Sequence, residues 1–249
     1  MRMNTTLVIN SKGGSGKTTI TTNLASYFAG KDIPTAVMDY DPQGSSLHWL
    51  RLRTRPETKL YGANAAPQKG GRIRSVEMYI PADTQQLIID APAGASGLLL
   101  QEMLSRTDCI IIPVAPSSID IHASANFVRD LLLVGRIRTR NIRLGVVANR
   151  VRSSMPVYQP LERFLNSLGL PFLTRISDSD AYVKAAEAGI GIFEMAPSAA
   201  AECGEFMPIV EWVGRQHEPG ALGDGKVIDL AQRRWMERNR TFSSIGSRP

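Results

Sequence analysis

Residues 11–19 read Ser11-Lys12-Gly13-Gly14-Ser15-Gly16-Lys17-Thr18-Thr19, between an apolar run, TTLVIN (5–10), and a helix-patterned stretch at 17–29. Gly13, Gly14 and Gly16 let main-chain N–H groups converge on phosphate oxygens without Cβ obstruction, and the helix start adds the positive end of its dipole. Lys17 is then placed to pair with the β- and γ-phosphates, and the Thr18 hydroxyl to reach Mg²⁺. The nucleotide-binding set is Gly13, Gly14, Ser15, Gly16, Lys17, Thr18 and Thr19. The general pattern G-x-x-x-x-G-K-[ST] asks for a glycine where Ser11 stands. It also has no use for Lys12, five positions before Lys17.

Working outward, short β-rich runs alternate with longer helical patterns. The strand candidates are 5–10, 35–40, 86–90, 108–114, 142–149 and 171–176; helices are expected at about 17–29, 45–53, 97–106, 119–134, 157–168, 179–188 and 197–214. Most strand runs are almost continuously apolar, as strands covered on both faces of a parallel sheet must be. The fold class is therefore α/β: a doubly wound, mostly parallel sheet with helices on both faces and a phosphate loop after its first strand. Ligands of such sheets bind at the carboxyl ends of the strands. Residues 54–75 lack periodicity and read as a surface excursion. Residues 1–213 form the expected domain; 214–249 read as a basic linker and tail, with a short helix at 226–240.

Acids stand at those strand ends. Asp39-Tyr40-Asp41-Pro42 places two carboxylates on alternate positions. Asp39 should point toward the loop and its metal, and Asp41 should orient or deprotonate a water attacking the γ-phosphate. LIIDAPAG ends its apolar run in Asp90, the usual Mg²⁺-side acid of such enzymes. The metal set is Thr18, Asp39 and Asp90; the catalytic set is Lys12, Lys17, Asp41 and Asp90. Gly94 closes a loop suited to sensing the γ-phosphate.

The 249 residues are 43% hydrophobic and 21% charged, the balance of a globular protein. No run approaches the apolar length of a membrane span, and the start lacks a signal peptide's apolar core, so a cytoplasmic location is expected. Cys109 and Cys203 show no CxxC pattern and read as reduced thiols. A formal charge of +6 suggests a polyanionic partner. Arg136, Arg138, Arg140, Arg143, Arg150 and Arg152 lie in a stretch without one acid, and Arg51, Arg53, Arg55 and Lys59 form a second basic run.

KGGSGKTT, DYDPQGSS, IIDAPAG and VVANR, in this order and spacing, resemble the ParA/MinD family of deviant Walker ATPases over residues 5–213. The resemblance implies slow, partner-stimulated hydrolysis of ATP to ADP and phosphate with Mg²⁺, by a homodimer that sandwiches two nucleotides. It implies that Lys12 reaches across to the partner's phosphates. Charge repulsion agrees: a second ammonium beside Lys17 is favourable only with ATP's charge between them. The resemblance also implies that Asn149 hydrogen-bonds adenine. Family members commonly have threonine where Ala91 stands, so this chain offers no side-chain hydroxyl there.

The arginine cluster points to nonspecific DNA, with Arg136, Arg138, Arg140, Arg143 and Arg152 as contacts and Arg175 and Lys184 as further candidates. That expectation makes the protein nucleoid-associated. The family's adaptor or centromere-binding-type partners connect such ATPases to a plasmid or chromosome, a chemosensory cluster or a carboxysome. The alternative is a MinD-like membrane association through the tail, where Val227, Ile228, Ala231 and Trp235 share a face that Arg234 and Arg238 crowd. Metallocluster carriers with this loop need clustered cysteines, which two distant ones do not supply.

Overall fold

The computed structural model describes residues 2–54, 59–67, 78–134, 142–152 and 170–215. Seven strands form one sheet: β1 (Asn4–Val8), β2 (Thr35–Asp39), β3 (Leu60–Asn64), β4 (Gln86–Asp90), β5 (Cys109–Val114), β6 (Arg143–Val151) and β7 (Phe172–Ser177). Their order is β3-β2-β4-β1-β5-β6-β7, and every neighbouring pair is parallel. The helices of the described residues are α1 (Lys17–Ala29), α2 (Ser45–Leu52), α3 (Gly97–Ser105), α4 (Ser118–Val134), α5 (Asp180–Glu187) and α6 (Ala200–Gly214), with a 3₁₀ turn at Ile192–Met195. Met1–Gly214 form one compact unit.

Side-chain alternation explains why the central strands are apolar throughout. In β1 and β5, Leu7, Ile110 and Ile112 join one core with Leu100, Met103 and Leu104 of α3 and Phe127 and Leu131 of α4. Val8 and Ile111 join the other core, with Ile20 and Leu24 of α1, Tyr182 of α5, and Phe206 and Trp212 of α6. A strand buried on both faces cannot alternate polar and apolar residues. Register matters at the carboxyl ends: Asp39 of β2 and Val8 of β1 both pair with Asp90 of β4.

The doubly wound α/β expectation is borne out, and one strand exceeds it. β3 lies inside the stretch read as a surface excursion; it is an edge strand in which only Ala63 is buried. The helices expected at 157–168 and 226–240 lie outside the described residues. Among the described residues, no helix is long and apolar enough to cross a membrane. Cys109 and Cys203 are free thiols.

Candidate functional site

The loop after β1 leads into α1 through Gly16, whose φ of +93° is left-handed. A Cβ at Gly16 would lie 1.8 Å from Asn149 Nδ2. Asn149, buried near the end of β6, donates that amide to the Ser15 carbonyl at 2.8 Å. The expected adenine residue thus also fastens the loop from behind. α1 has no side-chain cap and no acid in its first turn, so its leading N–H groups face the loop without a competing anion. The buried Ser15 hydroxyl has no hydrogen-bond partner among the described residues.

Lys17 is buried, and its ammonium donates to the Lys12 carbonyl at 3.2 Å. Burial lowers its pKa, against the opposing pull of Asp90 and Asp41. The Lys12 side chain stands exposed at the loop surface. Thr18 Oγ1 donates to Asp90 Oδ2 at 2.9 Å, and Asp90 Oδ1 is buried without a partner among the described residues. Burial, then the neighbouring Asp39, pushes Asp90 up to about 7, against the Thr18 hydrogen bond and Lys17.

Asp39 is fully buried beside Asp90, with both oxygens engaged. Oδ1 accepts from the Asp41 N–H at 2.9 Å; Oδ2 accepts from Ser46 N–H at 3.1 Å, Ser46 Oγ at 2.7 Å and Leu47 N–H at 3.3 Å. It serves α2 as an N-terminal acceptor supplied from the strand, since Gly44 at the cap position has no side chain to offer. Asp41 is half-buried, and its Oδ1 accepts from the Gln43 N–H. A cleft of about 470 Å³ opens beside it, lined by Pro42, Pro67, Pro92, Gly94 and Leu99.

Asn10 is a site residue that the motifs do not mark. It is buried; Nδ2 donates to the Pro113 carbonyl at 2.6 Å and Ser124 Oγ at 3.0 Å, while Oδ1 accepts from the Lys12 N–H at 3.2 Å. It ties the loop's start to β5 and α4. A polar residue closing the apolar run TTLVIN was the available signal.

Of the expected DNA contacts, Arg136, Arg138 and Arg140 lie outside the described residues. Arg143 opens β6, at the end of the strand away from the loop, and is half-buried. Its Nη1 donates to the Trp212 carbonyl at 2.8 Å and its guanidinium lies 4.9 Å from the Trp212 ring centre, closing the carbonyl end of α6. Arg152 and Arg150 are exposed, donating to Asp178 at 2.8 and 3.3 Å. Chiefly through the Arg152 hydrogen bond, Asp178 is held below the usual carboxylate range. Arg175 and Lys184 are exposed.

The described residues contain no group of three or more His, Cys, Asp or Glu arranged to hold a metal. A Mg²⁺ ion suits such a place, because it takes one or two protein oxygens and completes its shell with water and nucleotide phosphates. The orphaned Asp90 Oδ1 beside Thr18 fits that ion, and the orphaned Ser15 hydroxyl fits a phosphate oxygen.

Comparison with known proteins bears on the family and the fold. The chain is 24% identical over 214 residues to the maintenance of carboxysome distribution protein A of Halothiobacillus neapolitanus, covering 84% of this chain and 95% of that protein. Its fold matches MinD of Pyrococcus horikoshii complexed with Mg-ADP at TM-score 0.63, with 16% identity over 86% of this chain and 97% of that one. It matches apo McdA of Cyanothece at TM-score 0.62, with 15% identity over 85% and 99%. The CobQ/CobB/MinD/ParA nucleotide-binding domain matches residues 6–192, enclosing the loop, Asp39, Asp41, Asp90 and Asn149, and the chain belongs to that family.

Proposed function

We propose that the protein is a ParA-like ATPase whose ATP-bound form is a homodimer on nonspecific DNA, positioning a cargo through an adaptor that stimulates hydrolysis. The observation that carries this reading is one cluster: Lys17 in its loop, Thr18 on Asp90, Asp41 alongside, and a second lysine at the loop surface. Lys17, partly desolvated, exchanges the Lys12 carbonyl for phosphate oxygens. Thr18 and Asp90 would hold a Mg²⁺ ion, which would supply neutralisation of the phosphates' charge. Asp41 orients the attacking water and takes its proton. Lys12 acts on the partner's nucleotide, and Asn149 hydrogen-bonds adenine. The relative named for carboxysome distribution spans most of this chain. That favours a carboxysome as cargo.

DNA binding is assigned to Arg136, Arg138, Arg140 and the exposed Arg152. Each phosphate neutralised contributes about −0.9 to the log–log salt slope, so pairing two chains doubles the slope. Dimerisation then switches retention on the nucleoid. Phosphate release measured with nucleotide binding tests the hydrolytic assignment. Asp41→Ala should bind ATP while release falls on the order of 100-fold. Release at the unmodified rate would refute the role of Asp41.

A further inference from the structure

Two helices begin at the phosphate end of the sheet. α1 carries Lys17 and Thr18 in its first turn, and α2 starts four residues after Asp41. The main chain of residues 189–194 is held by side chains from both. From α1, Asn23 Oδ1 accepts the Ile192 N–H at 2.8 Å while Asn23 Nδ2 donates to the Thr19 carbonyl at 2.8 Å. The approach is close: a Cβ at Gly191 would lie 1.8 Å from Ser26 Oγ. From α2, Trp49 Nε1 donates to the Ile190 carbonyl at 3.2 Å. Arg53, just past the helix end, donates to the Gly189 carbonyl at 3.2 Å and to both carboxylate oxygens of Glu194, at 2.9 and 2.6 Å. Glu194 in turn accepts the Gly191 N–H at 2.8 Å.

The Arg53 and Glu194 side chains are only 4% and 8% exposed. Compared with apolar residues of the same volume, a buried ion pair contributes little net stability, yet a bidentate one defines orientation narrowly. Its position relative to the site gives that orientation a use. The first turn of α2 is hydrogen-bonded to Asp39, and Asp39 holds the Asp41 N–H. An angular shift of α2 against α1 therefore moves Asp41 relative to Lys17 and Thr18.

We propose that Trp49, Arg53 and Glu194 form a brace that positions Asp41 against the water that attacks the γ-phosphate, by fixing α2 against α1 through residues 189–194. These are positioning residues that touch no nucleotide. The proposal rests on the ATPase reading above and adds to it where the alignment of its base is set.

The test compares Arg53→Met, Glu194→Leu, their double variant and Trp49→Phe in the full chain, measuring kcat, ATP affinity and the thermal midpoint. Each single charge removal should lower both the midpoint and kcat, because it strands a buried charge. The double variant should lose less of the midpoint than the two single losses add up to, the Gly189 carbonyl and Gly191 N–H being left without their side-chain partners, while kcat stays reduced on the order of 10-fold with ATP affinity unchanged, since small misplacements act on the chemical step. Trp49→Phe, which removes one hydrogen bond and part of a buried ring, should lower kcat with a smaller loss of midpoint than either charge removal. Recovery of kcat together with the midpoint, or an unchanged kcat in Trp49→Phe, would overturn the brace. No turnover by the unmodified protein would instead sink the ATPase reading.

Discussion

Asn149 and Gly16 meet across the phosphate loop: the Asn149 amide donates to Ser15 at 2.8 Å, and any Cβ on Gly16 would lie 1.8 Å from that same nitrogen. Gly16→Ala therefore has two costs. It puts a side chain into left-handed backbone, at roughly 1–2 kcal/mol, and it displaces Asn149. ATP affinity, titrated by fluorescence, should fall on the order of 10-fold or more, since 1.4 kcal/mol is a factor of ten. Unaltered affinity would show that the loop does not depend on this contact.

Asp90 is raised from 3.8 to about 7 by burial and by Asp39. Between those values the folded chain holds a proton that the unfolded chain has released, so stability falls as pH rises. The contribution is complete below 3.8 and lost by about 7. Asp90→Asn keeps an acceptor for Thr18 and removes the titration. Without nucleotide or metal, the thermal midpoint of the unmodified protein should drop more steeply than that of Asp90→Asn from about pH 5 to about pH 8. Parallel profiles would contradict the raised value.

The arginines divide by role. Arg143 closes α6, so Arg143→Ala should lower stability by about 1–3 kcal/mol, read from denaturant unfolding. Replacing Arg138 and Arg140 with Glu should leave stability and phosphate release unaltered while DNA retention is lost and the salt slope flattens. Equal DNA retention in that double variant would clear both residues of a DNA role.

Much of this was legible in the sequence because it is local. The glycine-rich loop, Asp39, Asp41 and Asp90 each sit at the end of an apolar run, and strand buried on two faces leaves an unmistakable pattern. β3 was not legible because an edge strand with one buried residue carries no such pattern. Arg53 was read as part of a basic run, yet its partner Glu194 lies 141 residues downstream and the pair is buried. Asp39 was read as facing the metal; its engagement with Ser46 and Leu47 depends on where α2 turns back over the strand end. Asn10 and Ser124, which lies on α4, are likewise joined across 114 residues only by the fold.

In the proposed ATP-bound form, two chains close over two nucleotides and each lends Lys12 to the other. Sedimentation with a non-hydrolysable ATP analogue measures it most directly. The unmodified protein should run at twice the 27.2 kDa chain mass with the analogue and at one chain mass with ADP. Lys12→Ala should bind the analogue yet remain a single chain. A Lys12→Ala dimer, or an analogue-loaded unmodified protein that stays single, would contradict the account.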